Sequence, residues 1–157
     1  FKFTYIVSCN LFGPNDSFNE DTGHVIPSLI SKFEKKISGE NSKVSLWGNG
    51  SAVRDFLSSI EMARALEFFI REGPHGVVNV CSGVKRSIKD VIYAISDISG
   101  VSEEDFYWDH SKPNGQNQRY YKNKKLRDIG FNIQDTFKKD LESTYKWYLQ
   151  NKKDARR

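Results

Sequence analysis

The side chains whose types and spacing could do chemistry in this sequence are one histidine, two lysines and an arginine, spread over four segments. His24 closes a polar loop that carries Gly13, Pro14 and Gly23, between an apolar run and a helical pattern that opens at Val25. An imidazole has an unperturbed pKa of about 6.5, so at a helix mouth it could give or take a proton near neutral pH. The alternative for His24 is a loop residue that caps or hydrates the helix start. Lys32 lies in the helix that follows, Arg54 comes after a Gly48-Asn49-Gly50 turn, and Lys112 sits in a late polar loop. If they converge, these three cations would hold an anion, the guanidinium by its fork and the ammonium groups as point charges. If they stay apart they are solvated surface charges, and spacing alone leaves both readings open.

The elements that must position these residues read as alternating strands and helices. Phe3 to Val7 is a short apolar, β-branched run suited to a strand buried on both faces. The helix after His24 carries Leu29, Ile30, Phe33 and Ile37 at helical spacing and stops near Gly39. Val44 to Trp47 reads as a strand, Gly48 to Gly50 as a hairpin-type turn needing positive φ, and Val53 to Leu57 as a second extended piece. That arrangement puts Trp47 and Arg54 at the two shoulders of one loop. Ser59 is the expected cap of a helix with stripe Met62, Leu66, Phe69 and Ile70, ended by Gly73-Pro74. Val77 to Val80 is another buried strand. Ser87 and Asp90 form a capping-box-like start for a helix closed by Gly100. Phe106 to Trp108 suggests a strand, Asp109 to Gln118 a surface loop able to hold a ligand, and Asn123 to Ile129 a basic helical turn. Asp135 is the expected cap of a last helix with stripe Phe137, Leu141, Tyr145, Tyr148 and Leu149. Four or five strands and as many helices make an α/β domain.

Composition sets the bounds. A chain of 157 residues fits one domain with a real core. Its two cysteines, Cys9 and Cys81, lack Cys-x-x-Cys spacing and suit neither a zinc site nor a disulfide framework, so a reducing, cytoplasmic setting is expected and no metal. No apolar run reaches the length of a membrane span, and Phe1-Lys2-Phe3 opens on a strand. The net charge is +4, but bases and acids alternate, and the one dense basic cluster, Lys152 to Arg157, reads as a frayed solvated end. Nucleic acid is therefore not an expected partner. Tyr121 and Lys125 match a Tyr-x-x-x-Lys spacing, but without a long buried helix the match reads as chance.

A resemblance then joins these pieces. Asn10-Leu11-Phe12-Gly13-Pro14, His24-Val25-Ile26-Pro27, Trp47-Gly48-Asn49-Gly50 leading to Arg54-Asp55-Phe56-Leu57, Asn79 to Gly83, Ser111-Lys112-Pro113-Asn114-Gly115 and Thr144-Tyr145-Lys146-Trp147 stand in the order found in the GDP-sugar branch of the extended short-chain dehydrogenase/reductase family. The chain resembles the second half of such an enzyme: the last strands of a Rossmann-like parallel sheet plus the small α/β substrate-binding lobe, residues 1–157 forming one substrate-binding region. The sequence departs from the family's pattern at Ser8-Cys9, at Ser59-Ile60-Glu61, and at Lys32, where an arginine is common.

The resemblance implies an NADP-dependent epimerase/reductase acting on a GDP-4-keto-6-deoxy hexose, with the full-length enzyme a homodimer. It implies that His24 is the acid of the epimerisation, that Lys32, Trp47, Arg54 and Lys112 hold the GDP-sugar, and that Asn10 and Leu11 line the nicotinamide end. No Gly-x-x-Gly-x-x-Gly follows the first strand, so the dinucleotide-binding half is expected to lie outside these residues, and this chain alone is expected to reduce nothing. The alternatives are a 4-keto-sugar-nucleotide reductase or epimerase of the same family, or a sugar-nucleotide-binding module without catalysis.

Overall fold

A computed structural model describes residues 3–156, so Phe1, Lys2 and Arg157 of the segments above lie outside the described residues. In chain order the elements are β1 (Thr4–Ser8), β2 (Asn10–Phe12), α1 (Val25–Ile37), β3 (Val44–Trp47), β4 (Val53–Arg54), β5 (Phe56–Ser58), α2 (Ser59–Glu72), β6 (Gly76–Val80), β7 (Arg86–Ser87), α3 (Ile88–Ser99), β8 (Phe106–Asp109), β9 (Gln118–Arg119), α4 (Lys124–Asp128) and α5 (Phe137–Asn151). The class is α/β as expected. Parallel pairs dominate: β1 with β6, β2 with β5, and β3 with β8. A mixed sheet runs β7-β4-β9.

The strands sort into two cores. One packs Phe12, Phe33, Leu46, Phe56, Ile92 and Tyr148, with neighbours from α1, α3 and α5, around the β2–β5 and β3–β8 pairs. The other packs Cys9, Met62, Phe69, Val78, Cys81 and Leu126 beneath β1–β6. Fully burying a side chain such as Ile30 or Ile95 contributes about 1.5–3 kcal/mol, which is how an amphipathic stripe fixes a helix in place. The Ser87–Asp90 capping box forms with both of its bonds, and Gly100 closes α3 in the left-handed region.

Several expectations are corrected. Val44 to Trp47 and Val53 to Leu57 do not form a hairpin: β3 pairs in parallel with β8, and the second stretch breaks at Asp55 into β4 and β5, which join different sheets. At the break the buried Asp55 carboxylate accepts from Ser82 N–H, Ser82 Oγ–H and Gly83 N–H at 3.0, 2.7 and 3.0 Å. The Gly48 and Gly50 backbones do have positive φ. Ser58, not Ser59, caps α2, accepting from the Glu61 N–H. In the α2 stripe Leu66 and Ile70 are exposed and Ala65 is buried, because the covered face is one position out of phase with the apolar count. Asp135 does not cap α5; it pairs with Arg86, and Leu149 of that helix is exposed. β1 and β6 are covered on one face only, with Tyr5 62% and Val77 55% exposed. The end of the chain is not frayed through residue 156: Phe18 N–H donates to the Arg156 carbonyl at 2.8 Å and Ala155 is buried.

Candidate functional site

The polar loop expected to hold a ligand does form a wall of a cavity. This cavity of about 360 Å³ lies between the start of α1, the end of β3, β4 and the loop at Pro113-Asn114-Gly115, and Lys32, Trp47 and Arg54 line it. Two of the three candidate cations, Lys32 and Arg54, therefore meet at one cavity, together with Trp47. Lys32 Nζ lies 5.1 Å from the centre of the Trp47 ring and donates to the Ser45 carbonyl. Burial pushes the Lys32 ammonium below its ordinary pKa, against the raising influence of Glu20 and Asp21, which line the same cavity. Lys112 is not part of the cavity wall. Its Nζ lies over the Trp47 ring, 5.5 Å from the ring centre. The loop is tied down by Asn114, whose Oδ1 accepts from the Asn49 N–H at 2.7 Å.

Arg54 also lines a second cavity, of about 270 Å³, with Asn10, Leu11, His24 and Arg119. The two cavities thus meet at Arg54 and Val25. Arg54 Nη1 donates to the carbonyls of Val53 and Gln116 at 2.8 and 2.6 Å. Burial, then the charge of Arg119, holds the Arg54 guanidinium below its ordinary pKa. Asn10 is fixed from both sides: its N–H and Nδ2 donate to the Asp55 carbonyl, and its Oδ1 accepts from Arg119 Nη2 at 2.6 Å.

His24 occupies the N-cap position of α1, as the sequence suggested, but its side chain makes no capping bond. Its Nδ1 instead lies 3.3 Å from Asp16 Oδ1, and the side chain is 76% exposed. A carboxylate beside Nδ1 can orient an imidazole ring and leave Nε2 able to exchange a proton. Asp16 and Arg119 were missed in the sequence. Asp16 looks like any loop acid, and Arg119 becomes relevant only because β9 pairs with β4, which no local pattern announces. Tyr121 and Lys125 stay outside both cavities; Lys125 Nζ donates to the Val77 carbonyl at 2.7 Å.

Comparison with known proteins bears on the family and the fold. Over 144 residues the chain is 33% identical to a probable GDP-L-fucose synthase 1 of Oryza sativa subsp. japonica, covering 90% of this chain and 43% of that protein. It is 29% identical to the GDP-L-fucose synthase of Escherichia coli K12, covering 93% of this chain and 48% of that one. The solved structure of a GDP-L-fucose synthetase from Naegleria fowleri bound to NADP superposes with a TM-score of 0.89 at 29% identity, over 99% of this chain and 49% of that one. The chain spans about half the length of the curated relatives it matches. Its sheets and helices are accordingly those of the Rossmann-like fold of these relatives. The model of the NAD dependent epimerase/dehydratase family matches residues 1–81, and with the β1 to α2 framework of both cavities inside that match, the chain belongs to this family.

Proposed function

We propose that this chain is the sugar-nucleotide-holding part of an NADP-dependent epimerase/reductase that acts on a GDP-4-keto-6-deoxy hexose. The observation that carries the reading is Arg54, whose guanidinium joins the Trp47–Lys32 cavity to the one lined by Asn10 and His24. A nucleotide diphosphate straddling that junction would set its base side toward Trp47 and its sugar toward His24. Arg54 and Arg119 are then the cations for the diphosphate, with Lys32 and Lys112 beside the indole. The names of the relatives favour GDP over other nucleotides.

In this reading His24 returns a proton to the sugar carbon beside the ketone, and Asp16 holds the ring while its charge changes. One positioned acid of this kind contributes about 10²- to 10⁴-fold. NADP, when bound, would supply the hydride for reduction of the ketone. The residues present fit one end of that cofactor: Asn10 and Leu11 lie beyond the carboxyl end of β1, where ligands collect in parallel sheets. They offer no glycine loop for its pyrophosphate. We therefore place the dinucleotide-binding part outside these residues. In support, among the described residues β1 pairs with β6 alone and Tyr5 and Val77 are left open, whereas parallel strands are ordinarily covered on both faces.

Titration of the chain with GDP by calorimetry tests the reading. Binding that is lost in Arg54→Ala supports it. Equal, weak affinity of wild type and variant would remove the diphosphate from this junction.

A further inference from the structure

The cavity lined by Lys32, Trp47 and Arg54 carries something that an anion site alone does not call for: two carboxylates, Glu20 and Asp21, stand in its wall. Like charges repel, so each acid weakens the hold of this cavity on a diphosphate unless it meets hydrogen-bond donors of the ligand. The two acids differ in what they already hold. Lys35 Nζ lies 2.5 Å from Glu20 Oε1, so the Glu20 charge is matched within the protein. Among the described residues the Asp21 carboxylate takes no hydrogen bond and no ion pair. It acts on Lys32 through its charge, which opposes the lowering of that ammonium by burial.

The Asp21 backbone, by contrast, is fixed. Asn19 Oδ1 accepts from the N–H groups of Asp21 and Thr22 at 2.9 and 2.8 Å, and the Gly23 N–H donates to the Asn19 carbonyl at 3.0 Å. The turn is tight enough that a Cβ on Gly23 would lie 2.3 Å from that carbonyl oxygen. The Ser28 hydroxyl of α1 ties the same turn to the helix through the Glu20 carbonyl, at 3.0 Å. A firmly held backbone therefore presents a carboxylate with both oxygens unspent in the same cavity as the Trp47 indole.

An aromatic face stacks on any base and does not choose among them. An ionised carboxylate does choose, because it only accepts hydrogen bonds and its two oxygens match a pair of adjacent donors. Guanine presents such a pair, N1–H beside the 2-amino group. Adenine and cytosine offer an amino group beside an unprotonated ring nitrogen, and uracil a single N–H between two carbonyls. We propose that Asp21 is the base-reading residue of this cavity, its carboxylate accepting from N1–H and the 2-amino group of guanine while the ring stacks on Trp47. This role rests on the sugar-nucleotide reading of the cavity, and it makes the choice of guanine a property of this chain's own acid.

Calorimetry of the 157-residue chain with GDP and with IDP, which lacks only the 2-amino group, tests the role in wild type, Asp21→Asn and Arg54→Ala. Wild type is expected to prefer GDP by roughly tenfold, the worth of one hydrogen bond to a charged acceptor. Asp21→Asn, isosteric and at an exposed position, should make the two affinities equal. The ratio is the readout because removing a negative charge favours every anion, and a merely structural role would move both nucleotides alike. Binding of GDP that depends on Arg54 but shows the same GDP-to-IDP ratio in wild type and Asp21→Asn would overturn the role of Asp21 and leave the diphosphate reading standing. GDP that binds Arg54→Ala as well as wild type, or binds neither, would overturn both.

Discussion

Arg54 and Arg119 occupy facing positions on the neighbouring parallel strands β4 and β9, and among the described residues neither guanidinium has a carboxylate mate. Like charges placed opposite each other in a sheet destabilise it. A fold that keeps this pair beside a cavity gains stability when an anion fills it. Pyrophosphate or GDP is therefore expected to raise the Tm of the chain. Replacing either arginine by Ala should remove most of that rise, and Arg54→Ala should weaken GDP binding by roughly 2 kcal/mol or more. A Tm unmoved by GDP in the wild-type chain would show that the pair is not an anion site.

Asp55 is the buried carboxylate on which the junction hangs. Its three acceptor bonds hold the Ser82–Gly83 turn, and its carbonyl holds Asn10. Asp55→Ala strands two backbone donors, so a loss of about 2–5 kcal/mol in urea unfolding is expected. Asn10→Ala, which frees bonds nearer the surface, should cost about 1 kcal/mol. Equal effects of the two substitutions would contradict this ordering.

His24→Gln, placed in an enzyme assembled with its dinucleotide-binding part, should slow solvent-deuterium entry at the carbons beside the ketone by about 10²- to 10⁴-fold. Reduction of an already epimerised substrate should change far less. Because Asp16 orients the ring, Asp16→Asn should lower the exchange rate in the same direction but by less. Exchange at the wild-type rate in His24→Gln would make His24 a loop residue and the enzyme a plain ketone reductase.

Burial, reinforced by the Asp55 charge, pushes the Cys81 thiol from 9.0 up to about 12, and the same causes raise Cys9 further. A thiol whose folded pKa is raised contributes stability that is complete below pH 9 and is lost as the pH rises toward the folded value. Stability is thus expected to fall between about pH 9 and 12, and Cys81→Ala should flatten that fall. Thiol reagents at pH 8 should react slowly with the native chain and fast in urea. Rapid native-state labelling would contradict the burial of both sulfurs.

Gly48 has φ +68°, and a Cβ built on it would lie 2.0 Å from the Asn114 Oδ1 that ties down the cavity loop. Gly48→Ala should cost about 1–2 kcal/mol from backbone strain alone. It should also weaken GDP binding, because the loop must lift; a variant with wild-type affinity would show that the loop does not shape the cavity.

Much of this architecture was legible locally. The Ser87–Asp90 box, the Gly100 stop, the helix opening at Val25 and the strand at Val44–Trp47 follow from side-chain period and capping chemistry, which act over a few residues. The motif order from Asn10 to Trp147 pointed to the family, and it marked Lys32, Trp47, Arg54 and Lys112 as a set. Pairing partners were not legible. The apparent hairpin around Gly48 is instead two crossovers, since a parallel partner can lie 60 residues away and leaves no trace in the turn. Such a distance hid Arg119, which β9 brings to Asn10 from 109 residues away, whereas Asp16, eight residues before His24, was hidden because a loop acid carries no local sign of what it faces. By itself the sequence determined the α/β class, most element positions and the chemical types available for a site. Only the tertiary structure decided that Arg54 stands at the meeting of two cavities, that Lys112 remains outside the wall, and that Asp135 serves Arg86 and not a helix cap. Local propensity acts along the chain, whereas convergence is set by how two cores pack strands distant in sequence, and that packing has no signature in any short stretch.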